Sequence, residues 1–81
     1  MIIRIRLGSS LARLAPGPVR SVELPSGATV EDLYHRLAVS APELSGALAS
    51  AVAVVEGQHV GRDRTLSGDQ EVALLVPVAG G

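Results

Sequence analysis

A single long amphipathic segment lies between two groups of strand-like segments, and this order leaves few folds open to the chain. Val30, Leu33 and Leu37 follow one another at helical spacing, so they would form the apolar stripe of one helix. Thr29 precedes them and can accept a hydrogen bond from a free backbone amide at the helix start. Pro42 ends the pattern, because the residue before a proline is biased away from helix. The sequence therefore predicts one main helix near the middle of the chain.

Two strands are predicted before this helix. Apolar and charged residues alternate over residues 3–7, and a shorter alternation of apolar and polar residues follows over residues 21–24, which is typical of half-buried strands. Residues 8–18 are rich in Gly, Ser, Ala and Pro, so we expect a loop there. Leu11 and Leu14 interrupt that loop and are expected at the edge of the core. The second strand is expected to return antiparallel to the first.

Shorter elements are predicted directly after the helix. Residues 42–50 carry two leucines at helical spacing and predict a second, short helical turn. Residues 51–55 are apolar throughout and rich in valine, so we expect a central strand buried on both faces. A turn at residues 56–57 and a return strand at residues 58–60 complete a small hairpin.

The last strand is predicted over residues 71–76, after a loop at residues 61–69 with a single 3₁₀ turn at residues 65–66. Pro77 ends its hydrogen bonding. The order of elements, strand-strand-helix-strand-strand with a short helical turn and a small hairpin inserted, predicts an α+β roll in which one main helix packs on a mixed sheet. We expect one folded domain over residues 1–76 and a flexible C-terminal tail over residues 77–81.

Composition excludes several classes of function. The net charge of −1 and the single aromatic residue, Tyr34, argue against nucleic acid binding. The chain has no cysteine, so disulfides and thiolate catalysis are excluded, and a cytoplasmic location is expected. His35 and His59 lack neighbours spaced as metal ligands, and no metal site is expected. We predict neither a signal peptide nor a membrane span.

The most unusual feature is the diglycine Gly80-Gly81 on which the sequence ends. Glycine has no Cβ, so such a segment can thread a narrow channel and be approached closely by another backbone. Its only reactive group is the α-carboxylate of Gly81, and we interpret this carboxylate as the working group. The alternative interpretation is an inert, frayed end.

A partner-docking surface is predicted next to this tail. Successive strand residues face opposite sides of a sheet, so if Leu74 faces the helix, Leu75 is exposed immediately before the tail. Leu75 together with Leu7 or Val60 would then form an apolar patch for partners. The alternative is a single exposed leucine, which is common on protein surfaces.

Four stretches carry a resemblance to a known family. They are Leu-x-Gly-Asp-x-Glu-Val-Ala at residues 66–73, Pro-Val-Ala-Gly-Gly at 77–81, Leu-Pro-Ser-Gly-Ala-Thr-Val-Glu-Asp-Leu at 24–33 and Val-Ala-Val-Val-Glu-Gly at 52–57. With the order of elements, they resemble the ubiquitin-like β-grasp sulfur carriers, and within these the small subunit of molybdopterin synthase. The resemblance extends over nearly the whole chain, and the tail is its most specific part.

The resemblance implies a sulfur carrier in molybdenum cofactor biosynthesis that is not itself an enzyme. A ubiquitin-activating-like enzyme would use ATP and Mg²⁺ to adenylate Gly81, and a persulfide donor would convert it to a thiocarboxylate. Pro77, Val78, Ala79 and Gly80 would enter the active site of the large synthase subunit. The carrier itself would bind no cofactor, nucleic acid or membrane.

Two alternatives stay open at this point. A related carrier would share the chemistry but deliver sulfur to another product, such as thiamine, cysteine, a thiolated tRNA or a siderophore. A plain β-grasp interaction module would use its surface and never its terminus. Extending the chain beyond Gly81 separates these classes, because it should abolish a carrier and barely disturb a binding module.

Overall fold

The computed structural model describes residues 1–15 and 21–77, which contain a five-stranded sheet with helices packed against it. In chain order the elements are β1 Ile2–Leu7, α1 Ser9–Leu14, β2 Ser21–Glu23, α2 Val30–Ser40, a 3₁₀ turn Pro42–Leu44, α3 Ser45–Leu48, β3 Val52–Val55, β4 Gln58–Val60 and β5 Glu71–Leu75.

The strand order across the sheet is β2-β1-β5-β3-β4. Strand β5 lies in the centre, parallel to β1 and antiparallel to β3, and the two hairpins β1–β2 and β3–β4 extend the sheet on either side. The predicted α+β roll with a mixed sheet is confirmed. Parallel β1 and β5 are joined by a connection that contains α2, as a parallel pair requires.

One apolar core lies between the sheet and the helices. Alternate strand residues face this core, and α2 contributes the stripe that its spacing predicted. The apolar side chains with 0% relative exposure are Ile3, Leu11, Val30, Leu33, Leu37, Leu44, Val72 and Leu74.

The start of α2 is fixed by a reciprocal capping box. The backbone amide of Asp32 donates to the Thr29 hydroxyl over 3.3 Å, and the backbone amide of Thr29 donates to the Asp32 carboxylate over 2.9 Å. Two backbone donors without partners inside the helix are thereby satisfied. Glu31 adds a second negative charge near the positive end of the helix dipole.

We expect Thr29→Ala to lower the free energy of unfolding by about 1 kcal/mol, because it removes the hydroxyl that accepts from the helix. Thr65→Ala is the matched control, since the Thr65 side chain is exposed and makes no hydrogen bond among the described residues. Urea unfolding of the two variants measures the difference. Equal stabilities would show that the cap contributes nothing.

The same cap makes stability dependent on pH. The backbone amide of Thr29, and then its hydroxyl, stabilise the ionised Asp32 carboxylate and lower its pKa. A lowered pKa in the folded state gives stability that is present above the unfolded-state pKa and is lost as pH falls through the folded-state value. Thr29→Ala keeps the backbone amide and removes only the hydroxyl's share of the lowered Asp32 pKa. The stability difference between wild type and Thr29→Ala should therefore be constant near neutral pH and shrink in part below about pH 4. A difference that grew in acid would contradict the assignment.

One predicted loop is in part a helix. Within residues 8–18 the structure contains α1, and Leu11 is fully buried while the Leu14 side chain is 46% exposed. The prediction of a loop was wrong for α1, and Leu14 does not lie at the core edge as expected. A turn and a half of helix suffices to place Leu11 over the end of the core, so tertiary packing decided the conformation. Residues 16–18 of the predicted loop lie outside the described residues.

Two further details differ from expectation. Strand β3 is buried on one face only, because the helices cover one side of the sheet and Val52 and Val54 remain half-buried on the other. Thr65 forms a β-bridge to Thr29 rather than a 3₁₀ turn, and the Leu66 amide donates to the Ala28 carbonyl over 2.8 Å. This pairing ties the loop after β4 to the start of α2.

Arg62 supports the other side of α2. Its guanidinium lies 4.4 Å from the centroid of the Tyr34 ring and donates to the Glu31 carboxylate over 2.7 Å. It also donates to the Leu48 carbonyl over 3.3 Å. Burial raises the pKa of Tyr34, although the nearby Arg62 charge opposes the shift, so the phenol stays neutral at physiological pH. Arg62 thus packs against α2, and the charge pattern of the sequence did not distinguish it from the other surface arginines.

Candidate functional site

The candidate site lies where the chain leaves the centre of the sheet. Strand β5 ends at Leu75, and Val76 still packs against the core. Pro77 follows and is exposed, so the backbone has left the sheet by this residue. Val78, Ala79, Gly80 and Gly81, which the sequence predicted as the tail and its reactive end, lie outside the described residues.

The two faces of β5 differ as predicted. Val72 and Leu74 face the helices with 0% exposure, whereas Leu75 faces away from them and is 40% exposed. Within residues 1–15 and 21–77, no helix covers the side of the sheet that carries Leu75, and we call this side the open face. A large apolar side chain therefore stands on the open face directly before the tail.

The structure does not bring Leu7 or Val60 onto this face. Leu7 pairs with Leu74 across the parallel strands, and Val60 pairs with Ala53 across the hairpin. Both partners point into the core, and Leu7 and Val60 are partly buried against that core. The predicted patch that combined Leu75 with Leu7 or Val60 was therefore wrong about its members.

Other residues surround Leu75 on the open face. Val52 lies directly opposite Leu75, and Val54 lies opposite Ala73, in the antiparallel β3–β5 pair. Val52, Val54 and Ala73 are half-buried, and Leu75 is exposed. We call these four residues, Val52, Val54, Ala73 and Leu75, the apolar patch. Direct cross-strand neighbours on one face stand about 5 Å apart, so the patch is continuous.

Charged residues border the patch on the β1 side. Arg6 and Glu71 form an exposed ion pair at 4.0 Å, and the Arg4 guanidinium donates to the Asp69 carbonyl over 2.9 Å. Exposed pairs of this kind contribute little to stability. A groove of about 660 Å³ runs between this charged border and Leu75. The open face thus offers an apolar centre with a charged edge, which is the usual anatomy of a protein–protein contact.

Gly8 lies beside the root of the tail, and the sequence pattern did not single it out. A Cβ placed on Gly8 would stand 2.9 Å from Cδ2 of Leu75. The backbone amide of Gly8 donates to the Leu74 carbonyl over 2.8 Å and continues the β1–β5 ladder. No local signal distinguishes this glycine from one that begins a loop.

Within the described residues, no group of His, Asp and Glu side chains is arranged to hold a metal ion. Over the same part of the chain, none of the helices has both the length and the apolar character needed to span a membrane.

Several solved structures share this fold. SAMP1 of Haloferax volcanii, a small archaeal modifier protein, superimposes with a TM-score of 0.87 at 22% identity over 100% of both chains. A protein from Pyrococcus furiosus assigned as molybdopterin converting factor subunit 1 gives a TM-score of 0.85 at 22% identity, over 96% of this chain and 99% of the other. The HVO 2177 protein of Haloferax volcanii gives 0.81 at 22% identity, over 100% of this chain and 87% of the other.

The likeness to these structures establishes a ubiquitin-like β-grasp fold and, at such identities, the fold alone. No curated protein sequence matches the chain. A sequence-family match is more informative, because it includes the diglycine as well as the folded part. Residues 8–81 match the ThiS family, and the chain therefore belongs to this family of ubiquitin-like sulfur carriers.

Proposed function

We propose that this sulfur carrier is the small subunit of a molybdopterin synthase and donates sulfur from a thiocarboxylate on Gly81. The observation that carries the proposal is the family match, which runs through the diglycine at residues 80–81. The motif at residues 77–81 and the likeness to the Pyrococcus furiosus protein favour the molybdopterin pathway among those open to such carriers.

The first step is activation of the carboxylate. The α-carboxylate of Gly81 attacks the α-phosphate of ATP on a ubiquitin-activating-like enzyme, which releases pyrophosphate and leaves an acyl-adenylate. Activation is needed because a carboxylate oxygen is a poor leaving group, whereas AMP leaves readily. ATP and Mg²⁺ are bound by the activating enzyme, so the carrier needs no cofactor of its own. We place these reactions in the cytoplasm.

The second step replaces oxygen by sulfur. The terminal sulfur of a persulfide donor attacks the acyl carbon, and AMP leaves. A thiol then cleaves the resulting acyl disulfide, so that one sulfur stays on Gly81 as the thiocarboxylate and the donor is left as a disulfide. The thiocarboxylate sulfur bonds to the precursor, and water then cleaves the acyl carbon–sulfur bond, so each delivery returns the carrier to the carboxylate. Two deliveries are required for one dithiolene, so the carrier must dissociate and be charged again.

The folded part of the chain supplies the docking surface for these partners. The apolar patch lies on the open face immediately before the tail, so a partner that covers Leu75 also receives the chain beyond Pro77. The two glycines before the carboxylate lack Cβ atoms, which suits a narrow channel leading to a buried active site. Catalytic acids and bases belong to the large synthase subunit, and the carrier acts as its co-substrate.

The test of the pathway is reconstitution from purified parts. Thiocarboxylated carrier, the large synthase subunit and the cyclic pyranopterin precursor are mixed, and molybdopterin is measured after oxidation to its fluorescent derivative. We expect product in proportion to the carrier added, at about half its amount, because each product needs two deliveries. The carboxylate form of the same chain is the matched control. Sulfur transfer only to a thiamine-pathway acceptor would instead assign the carrier to that pathway.

A further inference from the structure

Gly8 occupies a position where backbone conformation does not require glycine. It precedes α1 with φ −64° and ψ 165°, an extended conformation that any residue adopts. Gly57, in the turn between β3 and β4, differs, because its φ of 79° is one that L-residues rarely adopt. The reason for glycine at position 8 must therefore be sought in the space around it.

That space is filled by the end of β5. A Cβ on Gly8 would stand 2.9 Å from Cδ2 of Leu75, 3.4 Å from the Leu74 carbonyl oxygen and 3.7 Å from the Leu75 Cα. Real Cβ atoms essentially never approach another heavy atom as closely as the first of these distances. Two of the three neighbours are backbone atoms of the central strand, and the nearest is the tip of a side chain.

We propose that Gly8 is a positioning residue for docking to the adenylating enzyme: because Gly8 has no Cβ, the Leu75 side chain can occupy the space beside it and keep its place in the apolar patch. The inference rests on the proposed function, which makes this patch the surface that partners recognise. The Gly8 amide also donates to the Leu74 carbonyl over 2.8 Å, so the β5 backbone is held against Gly8 and cannot easily retreat. An added methyl group must therefore displace the Leu75 side chain.

The displacement should leave the fold intact. Leu75 is 40% exposed, so its side chain can rotate towards solvent without opening the core. The neighbouring Leu74 is fully buried and points to the other face, where the added methyl group does not reach its side chain. Gly8→Ala should consequently change the shape of the patch more than it changes stability.

The test measures charging of the full-length carrier by its adenylating enzyme. For Gly8→Ala we expect KM for the carrier to rise about tenfold while kcat stays within about twofold, the pattern of lost binding that is equal in ground and transition states. Gly46→Ala is the matched control, because a Cβ there meets no atom within 4 Å. The Leu75 methyl resonances, assigned by NMR, should shift in Gly8→Ala and not in Gly46→Ala.

A double variant separates this effect from a purely structural one. In a Leu75→Ala background the obstructed Cδ2 is absent, so Gly8→Ala should raise KM no further. A change that acted only through the start of α1 would lower thermal stability and would raise KM equally in both backgrounds, which would overturn the inference. If Gly8→Ala alone unfolds, the double variant still decides, because a KM above that of Leu75→Ala contradicts the steric account.

Failure of the inference is distinguishable from failure of the proposed function. If wild type and Gly46→Ala are charged and Gly8→Ala is charged with the same KM, the inference alone is overturned. If the wild-type chain is not a substrate for adenylation by an enzyme that charges another carrier, the proposed function fails, and the inference that rests on it fails too.

Discussion

Addition of one alanine after Gly81 should reduce adenylation by the cognate activating enzyme by roughly 100-fold or more. One extra residue moves the carboxylate by up to about 3.5 Å, and misplacement of a reacting group by even about 1 Å can cost two orders of magnitude. Deletion of Gly81 shortens the reach by the same amount and should have an effect of similar size. The rate is measured by exchange of radioactive pyrophosphate into ATP, which reports adenylation before any sulfur is transferred.

The fold should not respond to these changes. Strand β5 ends at Leu75, and Pro77 is already exposed, so a change after Gly81 removes no core contact described in the structure. Thermal unfolding of the extended chain should match that of wild type. Gly46→Ala, a variant of unchanged length, is the control for the adenylation rate. Normal exchange with the extended chain would show that the activating enzyme does not require the carboxylate at the position of Gly81. Absence of exchange with the wild-type chain would instead favour an interaction module that uses only its surface.

Alanine substitution of the adjacent residues Leu74 and Leu75 should rank the two in opposite order for stability and for partner binding. Leu74→Ala removes a fully buried side chain from the central strand and should lower the free energy of unfolding by about 3 kcal/mol. A domain of this size has a total stability of only about 4–12 kcal/mol, so such a loss is severe. Leu75→Ala removes a partly exposed side chain and should cost less than about 1 kcal/mol.

Partner binding should reverse this order. Burial of a leucine side chain contributes about 1.5–3 kcal/mol, so loss of Leu75 from a docked patch should weaken binding to the large subunit or the activating enzyme by tenfold or more. Calorimetric titration at a temperature where both variants are folded measures the affinity, and urea unfolding measures stability. If Leu75→Ala binds as wild type does, the apolar patch is not the docking surface.

The sequence predicted the fold well where a pattern is strong and repeated. The stripe of Val30, Leu33 and Leu37 and the alternation on β1 and β5 each agree with the structure, because each element buries one face on a single core. The sequence also identified Thr29 as the cap of α2, since this role depends on Asp32, only three residues away. These features are local, and local chemistry decides them.

Features that depend on distant pairings could not be predicted. The members of the apolar patch follow from the register that sets Val52 against Leu75, and many alternative pairings satisfy the same alternation. Leu75 itself was predicted as exposed, because its face follows from that of Leu74. Helix α1 was missed because a single buried residue, Leu11, holds it in place. The role of Gly8 was missed because it depends on a contact with β5, which lies far along the chain.

The most direct test of the central claim is the intact mass of the chain after incubation with a cognate adenylating enzyme, ATP·Mg²⁺, a persulfide donor and a thiol. The account predicts a mass increase equal to the exchange of one oxygen for one sulfur, which fragmentation places on Gly81 and which is absent when ATP is omitted. An unchanged mass, with an enzyme that charges another carrier under the same conditions, would contradict it.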